Sequence, residues 1–245
     1  MPDAVLVEAD NLEKRFRGYH AVRGISLRCY AGEVFGLLGP NGAGKTTTLR
    51  MLTTVLRPSA GGARIAGHDV VRESSAVRRA IGVLPENAGL YGRLTAREAI
   101  RYAGRLHGVP PIELETRIAE IAHALDLTPH LDRLCETFSK GMKQKVNVAR
   151  AIVHNPPVVF LDEPTSGLDV LSARAVRDFV DRAKRQGRCV LLSTHIMEEA
   201  EKLCDRVAIV AQGRVRAEGT LDELRARTGL DLEEIFVQLV AQTVA

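Results

Sequence analysis

With 245 residues, 45% of them apolar, the chain is long enough to bury a complete core as one domain with a subdomain or two. Its longest apolar runs, Val34 to Leu38 and Val207 to Ala211, fall far short of the roughly 20 residues that a bilayer span requires, so no transmembrane helix is expected. The net charge of +4 comes from bases interleaved with acids rather than gathered into a patch, so nucleic acid is not an expected partner.

Near the start, Asp3 and Glu8 occupy a region where a secretory leader would be basic and then apolar, so a cytosolic protein is expected. Residues Ala4 to Ala9 and Ile25 to Tyr30 alternate like half-buried strands, and Glu33 to Leu38 read as a buried strand entering a glycine-rich loop. A helix is predicted from Gly44 to about Leu56, then strands over Gly61 to Ala66 and Ala80 to Leu84. From Thr95 to about Val153 the pattern is helical, a candidate inserted subdomain. Beyond it, strand and helix alternate: Val158 to Leu161, Ser172 to Lys184, Arg188 to Ser193, Met197 to Leu203 and Arg206 to Ala211. Alternation of this kind implies a mostly parallel sheet with crossover helices and a ligand site beyond the carboxyl ends of its strands. In the last segment Leu232, Ile235, Phe236, Leu239 and Val240 share one helical face, which packs on the domain or pairs with a partner. Cys29, Cys135, Cys189 and Cys204 are scattered without a Cys-x-x-Cys pair, which suggests reduced thiols and no metal site.

The chemistry concentrates in two places. Gly39-Pro40-Asn41-Gly42-Ala43-Gly44-Lys45-Thr46, followed by Thr47, satisfies the phosphate-loop pattern and sits between a buried strand and a helix. Backbone N–H groups there converge on phosphate oxygens at a helix N-terminus, Lys45 reaches the β- and γ-phosphates of ATP, and the Thr46 hydroxyl ligates Mg²⁺. The apolar strand ending in Asp162-Glu163 sets two carboxylates at the sheet's carboxyl edge, beside the phosphate loop if the two strands are neighbours. Asp162 is the candidate Mg²⁺ ligand and Glu163 the general base for an attacking water.

Phe138-Ser139-Lys140-Gly141-Met142 lies shortly before that acidic strand, and with Lys143 to Val146 and Ala149-Arg150-Ala151 it resembles the signature turn of the ATP-binding cassette (ABC) transporters. The resemblance covers the chain from about Val5 to Glu218. It implies a P-loop NTPase core (about 1–85 and 156–220) with a mostly parallel sheet and a small antiparallel β subdomain, an inserted helical subdomain (about 86–155) and a helical tail (about 221–245). It also implies that Ser139 and Gly141 contact the γ-phosphate held by a second subunit, either another copy or a paired ATPase. Ser139 is equally well placed as a helix N-cap. Ser166-Gly167-Leu168-Asp169 matches the loop linking the two ATP sites, and His195 the switch histidine that bridges γ-phosphate and water, a catalytic residue with Glu163. Phe16, with Tyr19 as rival, takes the place of the ring that stacks on adenine; Phe16 also reads as a buried aromatic.

The chain departs from the family pattern in two places. Glu86 stands where glutamine usually ligates Mg²⁺ and senses the membrane partner, and a carboxylate can also ligate Mg²⁺. Lys140 and Met142 replace the usual Gly and Gln; Lys140 either adds charge near the opposite phosphate or points to solvent. The segment from Glu86 through Tyr91 to Leu94 matches the groove for a helix of a separate transmembrane permease. The wording of the motifs looks most like the bacterial exporter branch that includes sodium-extrusion and drug-resistance ATPases. That implies a subunit at the cytoplasmic face of the membrane. A soluble single-cassette ATPase in an assembly process remains the alternative, and a P-loop kinase is a weaker one because it leaves Ser139 to Gly141 and Ser166 to Asp169 unexplained.

Overall fold

The computed structural model describes residues 4–241. Two long strands, β1 (Val5–Phe16) and β2 (Tyr19–Tyr30), form an antiparallel hairpin and precede β3 (Val34–Leu38), which is buried along its whole length. The phosphate-loop residues follow β3 directly and lead into α1 (Lys45–Leu52). Next, β4 (Ala60–Ile65) and β5 (His68–Asp69) complete a four-stranded antiparallel sheet in the order β2-β1-β4-β5. A short helix, α2 (Ser74–Ala80), which residue periodicity did not announce, leads into β6 (Ile81–Leu84).

The helical region comprises α3 (Ala96–Leu106), α4 (Pro111–Ala124) and α5 (Lys140–Ile152). Its boundaries are written locally. Thr95 and Glu98 form a reciprocal capping box on α3, Pro111 opens α4 where a missing N–H costs nothing, and the Ser139 hydroxyl caps α5 by accepting from the Met142 N–H at 3.2 Å. The remaining elements are β7 (Val158–Asp162), α6 (Val170–Arg185), β8 (Cys189–Thr194), α7 (Met197–Leu203), β9 (Arg206–Ala211), β10 (Arg214–Thr220), α8 (Leu221–Thr228) and α9 (Leu232–Ala241).

The central sheet runs β10-β9-β3-β8-β7-β6 and is parallel except for the β9–β10 pair. One core lies between its face and the antiparallel sheet, with Leu12, Ile25, Phe35, Leu37, Leu52 and Phe160 buried together. The other covers the opposite face with α3 to α7, where Ile100, Leu114, Ile118, Val146 and Leu192 pack. Strands buried on both faces explain why β3, β7 and β8 read as continuous apolar runs rather than alternating ones.

The tail face packs on its own chain. Leu232 and Ile235 are buried and Phe236 and Leu239 lie against the same core, while residues 242–245 fall outside the described residues. All four cysteines are free and buried, and burial pushes the Cys204 thiol far above its ordinary range. Among the described residues, no helix is long and apolar enough to cross a membrane.

Candidate functional site

The phosphate loop is shaped by its glycines and pinned from behind. Gly44 sits at φ 107, and a Cβ there would stand 2.7 Å from the Ala21 carbonyl oxygen, so only glycine lets the loop close onto the hairpin before α1 begins. The Gly213 N–H donates to the Ala43 carbonyl at 2.9 Å, fixing the loop to the turn between β9 and β10. Lys45 is buried, and its ammonium donates to the carbonyls of Gly39 (2.6 Å) and Pro40 (3.2 Å).

The strands carrying the loop and the acidic pair are not neighbours. β8 lies between β3 and β7, so the two motifs meet across a strand rather than along one pairing. The intervening strand ends in small residues, which is why the gap still closes: Ser193 is paired with Asp162 in register and its hydroxyl donates to the Asp162 carboxylate. The Thr46 hydroxyl donates to the same Asp162 oxygen at 3.2 Å.

Glu163, the next residue, adopts φ 50, a conformation uncommon for a side chain larger than glycine, and its N–H donates to the Ser193 carbonyl at 3.0 Å. That turn sends its carboxylate inward, 3.8 Å from the Lys45 ammonium. His195 Nδ1 lies 2.9 Å from both Glu163 oxygens, so the ring nitrogen facing the carboxylate carries the proton. Burial lowers the pKa of Lys45, while the carboxylates of Glu163, Asp162 and Glu86 act in the opposite direction.

Glu163 and His195 line one cleft of 370 Å³ together with Pro40 to Thr47, Glu86, Ser166 and Tyr19, and Asp162 is joined to it through the Thr46 hydroxyl. Tyr19, whose hydroxyl approaches the Gly42 carbonyl at 3.4 Å, is in the lining; Phe16 is not. Phe16 is 45% exposed with the Lys14 ammonium 5.3 Å over its ring, which removes the reading of it as a buried aromatic.

The cleft suits the group that the motifs imply. Among the described residues no cluster of three His, Cys, Asp or Glu side chains could hold a metal by itself. A hydroxyl and a carboxylate at one point, with a second carboxylate, Glu86, in the same cleft, are all-oxygen donors of the kind a magnesium ion takes alongside phosphate oxygens.

Ser139 and Gly141 lie outside this lining. Gly141 packs against the start of α6, where Asp169 caps the helix by accepting from the Ser172 N–H (2.9 Å) and hydroxyl (2.7 Å). Those two bonds hold the Asp169 carboxyl below its usual range. A Cβ on Gly141 would stand 1.8 Å from the Ser172 hydroxyl oxygen. Gly141→Ala should therefore displace Ser172, loosen the Asp169 cap and lower stability by about 1–2 kcal/mol, checked by urea unfolding; an unchanged midpoint overturns this.

Lys140 is exposed, and its ammonium donates to the Ser166 carbonyl at 3.0 Å. Sequence reasoning also missed Glu199. It is buried and accepts from the hydroxyls of Thr165 (2.6 Å) and Thr194 (2.8 Å), with burial raising its pKa. Its only sequence signal is its position next to the Glu198 of the Ser-Thr-His-x-x-Glu run, which helical phase alone could separate.

A second cleft, of 470 Å³, opens between the segment after β6 and helices α3 and α5, with Val55, Val83, Pro85, Tyr102 and Leu106 in its lining. The Asn147 amide donates to the Ala88 carbonyl (3.0 Å) and Arg150 to the Gly89 carbonyl (3.1 Å), so the segment following Glu86 is held to α5. Tyr91 is 73% exposed and stands outside that lining.

The sequence pattern of the ABC transporter family matches residues 22–166. The chain is 41% identical over 227 residues to the ABC transporter ATP-binding protein NatA of Bacillus subtilis, covering 92% of each. It is 44% identical over 223 residues to the daunorubicin/doxorubicin resistance ATP-binding protein DrrA of Streptomyces peucetius, covering 91% of this chain and 68% of that one. A solved ATP-binding subunit of an ABC transporter superposes with a TM-score of 0.88 at 34% identity, over 96% of this chain and 99% of that one. Because the similarity spans core, helical insert and signature turn alike, this chain belongs to the ABC transporter family as an ATP-binding, ATP-hydrolysing subunit.

Proposed function

We propose that the chain binds Mg²⁺ with ATP in a site that two copies, or this chain and a close relative, complete face to face, and that their closing drives a separate membrane permease in export. One observation carries this: the phosphate loop, Glu163 and His195 share a cleft, with Asp162 joined to it through the Thr46 hydroxyl, and Ser139 and Gly141 do not line it. The turn they form offers a hydroxyl and a helix N-terminus to an anion, which in this reading is the phosphate of a nucleotide held by another chain.

In this reading the loop amides and Thr47 cradle the phosphates, and Lys45 neutralises the β- and γ-groups. Thr46 and Asp162, with Glu86, hold Mg²⁺, whose contribution when bound is to offset charge on the phosphate oxygens. Glu163 takes a proton from the attacking water. His195 holds that carboxylate through Nδ1 and serves the γ-phosphate with its other ring nitrogen. Tyr19, in the cleft lining, is a better candidate than Phe16 for the adenine. The cleft beside Tyr102 and Leu106 receives a permease helix, the subunit sits at the cytoplasmic membrane face, and the substrate is chosen by the permease. The transporter and drug-resistance names of the two relatives above favour this over a non-transport assembly role.

Glu86→Gln removes one of three carboxylates acting on Lys45. It should change basal hydrolysis by no more than about tenfold, one pKa unit of interaction, yet alter stimulation by the permease. Identical profiles for wild type and variant, with and without permease, would sink this. The reading as a whole is tested by capture from mild-detergent extracts with Glu163→Gln and ATP. It requires an ATP-dependent dimer bound to a multi-span membrane protein; only soluble assembly factors, or ribosomes, would replace it with a non-transport role.

A further inference from the structure

Lys140 occupies the first position of α5, where the positive end of the helix dipole disfavours a cation. The Ser166 carbonyl offsets that, accepting from its ammonium at 3.0 Å. The ammonium also fills the space beside Gly167, which sits at φ 65; a Cβ there would stand 2.3 Å from Nζ. One turn further along α5, the Gln144 amide donates to the Pro164 carbonyl at 2.8 Å. Helix α5 therefore grips residues 164–167 with two side-chain donors. The stretch leaves Glu163 at one end and reaches Asp169, packed under Gly141, at the other.

The bonds holding this stretch differ in kind. Thr165 donates to Glu199 inside the core, and the Glu163 N–H is fixed to Ser193. The Lys140 bond is exposed and joins a full charge to a neutral carbonyl. Such a contact yields to a stronger acceptor: a charged oxygen adds the attraction of opposite charges to the hydrogen bond that the carbonyl already makes. Lys140 is adjacent to Ser139, the residue that would meet a phosphate from the other chain, and Ser166 lines this chain's own cleft.

We infer that Lys140 is a positioning residue that links the two ATP sites through one chain. Its ammonium holds the stretch after Glu163 by the Ser166 carbonyl and transfers to a phosphate oxygen when the partner's nucleotide docks on the Ser139 turn. Occupancy of one site is thereby felt at the hydrolytic carboxylate of the other. This rests on the paired-site reading above, and it gives a lysine in place of the family's usual glycine a task of its own.

The experiment is steady-state hydrolysis of Mg-ATP by wild type, Lys140→Met and Lys140→Arg, each over a range of protein concentrations, with binding of a fluorescent ATP analogue to dilute protein measured alongside. Lys140→Met should lose about tenfold in kcat, the scale of one charged hydrogen bond, and its ATP dependence should become hyperbolic, while analogue affinity stays unchanged. Lys140→Arg, which keeps charge and donors, should stay within about twofold of wild type. If wild-type activity per molecule rises with protein concentration but Lys140→Met matches wild type, or if both variants fall equally, the link is wrong and paired sites survive. If wild-type activity per molecule is independent of protein concentration, the paired-site reading fails and this inference with it.

Discussion

Replacing Glu163 with glutamine will slow ATP hydrolysis by about 10²–10⁴-fold, the range for loss of a positioned proton acceptor, while leaving ATP binding intact. The substitution keeps the shape of a side chain that is 9% exposed and held at φ 50 by the Ser193 carbonyl. It also keeps an oxygen able to accept from His195 Nδ1, now at 2.9 Å. What it removes is the negative charge and with it the basicity toward water. Loss of that charge 3.8 Å from Lys45 should favour the anionic nucleotide, so the paired, ATP-loaded state should accumulate. Phosphate release and size-exclusion chromatography with ATP check both halves. A variant that hydrolyses within a few-fold of wild type would take the base role from Glu163.

Lys45→Ala should act on binding rather than on turnover. Its ammonium is buried between two loop carbonyls and faces a cleft lined by Glu163 and Glu86, with the Asp162 carboxylate also acting on it. Without it, three carboxylates meet the phosphate chain with one fewer compensating charge from the loop. Loss of one strongly charged contact is worth about 3 kcal/mol, or on the order of 100-fold in Kd for ATP, measurable by calorimetry. The fold should survive, because the substitution also removes the cost of burying an ammonium, the main cause of its lowered pKa. Unchanged affinity would mean that the backbone amides alone carry phosphate binding.

Removing Lys45 weakens capture and removing Glu163 stops the reaction after capture. The two variants together separate binding from chemistry in this cleft, and Glu163→Gln is the one suited to trapping a partner.

Much of this protein is legible from residues close together in the chain. The phosphate loop, the acidic pair, the Ser139 cap and the bounds of α7 and β9 follow from glycine conformations, cap chemistry and apolar runs, all decided within a few residues. Four things were decided only by chain segments far apart. Strand order set β8 between β3 and β7, so Ser193 became the residue that bridges to Asp162. The way the hairpin lies on the phosphate loop brought Tyr19 rather than Phe16 into the cleft. The packing of α5 on residues 164–167 turned Lys140 from an apparent surface charge into a hydrogen-bond donor for Ser166, and the packing of α7 buried Glu199 beneath Thr165. A motif records which groups a backbone needs locally; which strand lies next to which, and which carbonyl a lysine meets, depends on how distant apolar faces pack, and that is settled only when the whole core closes.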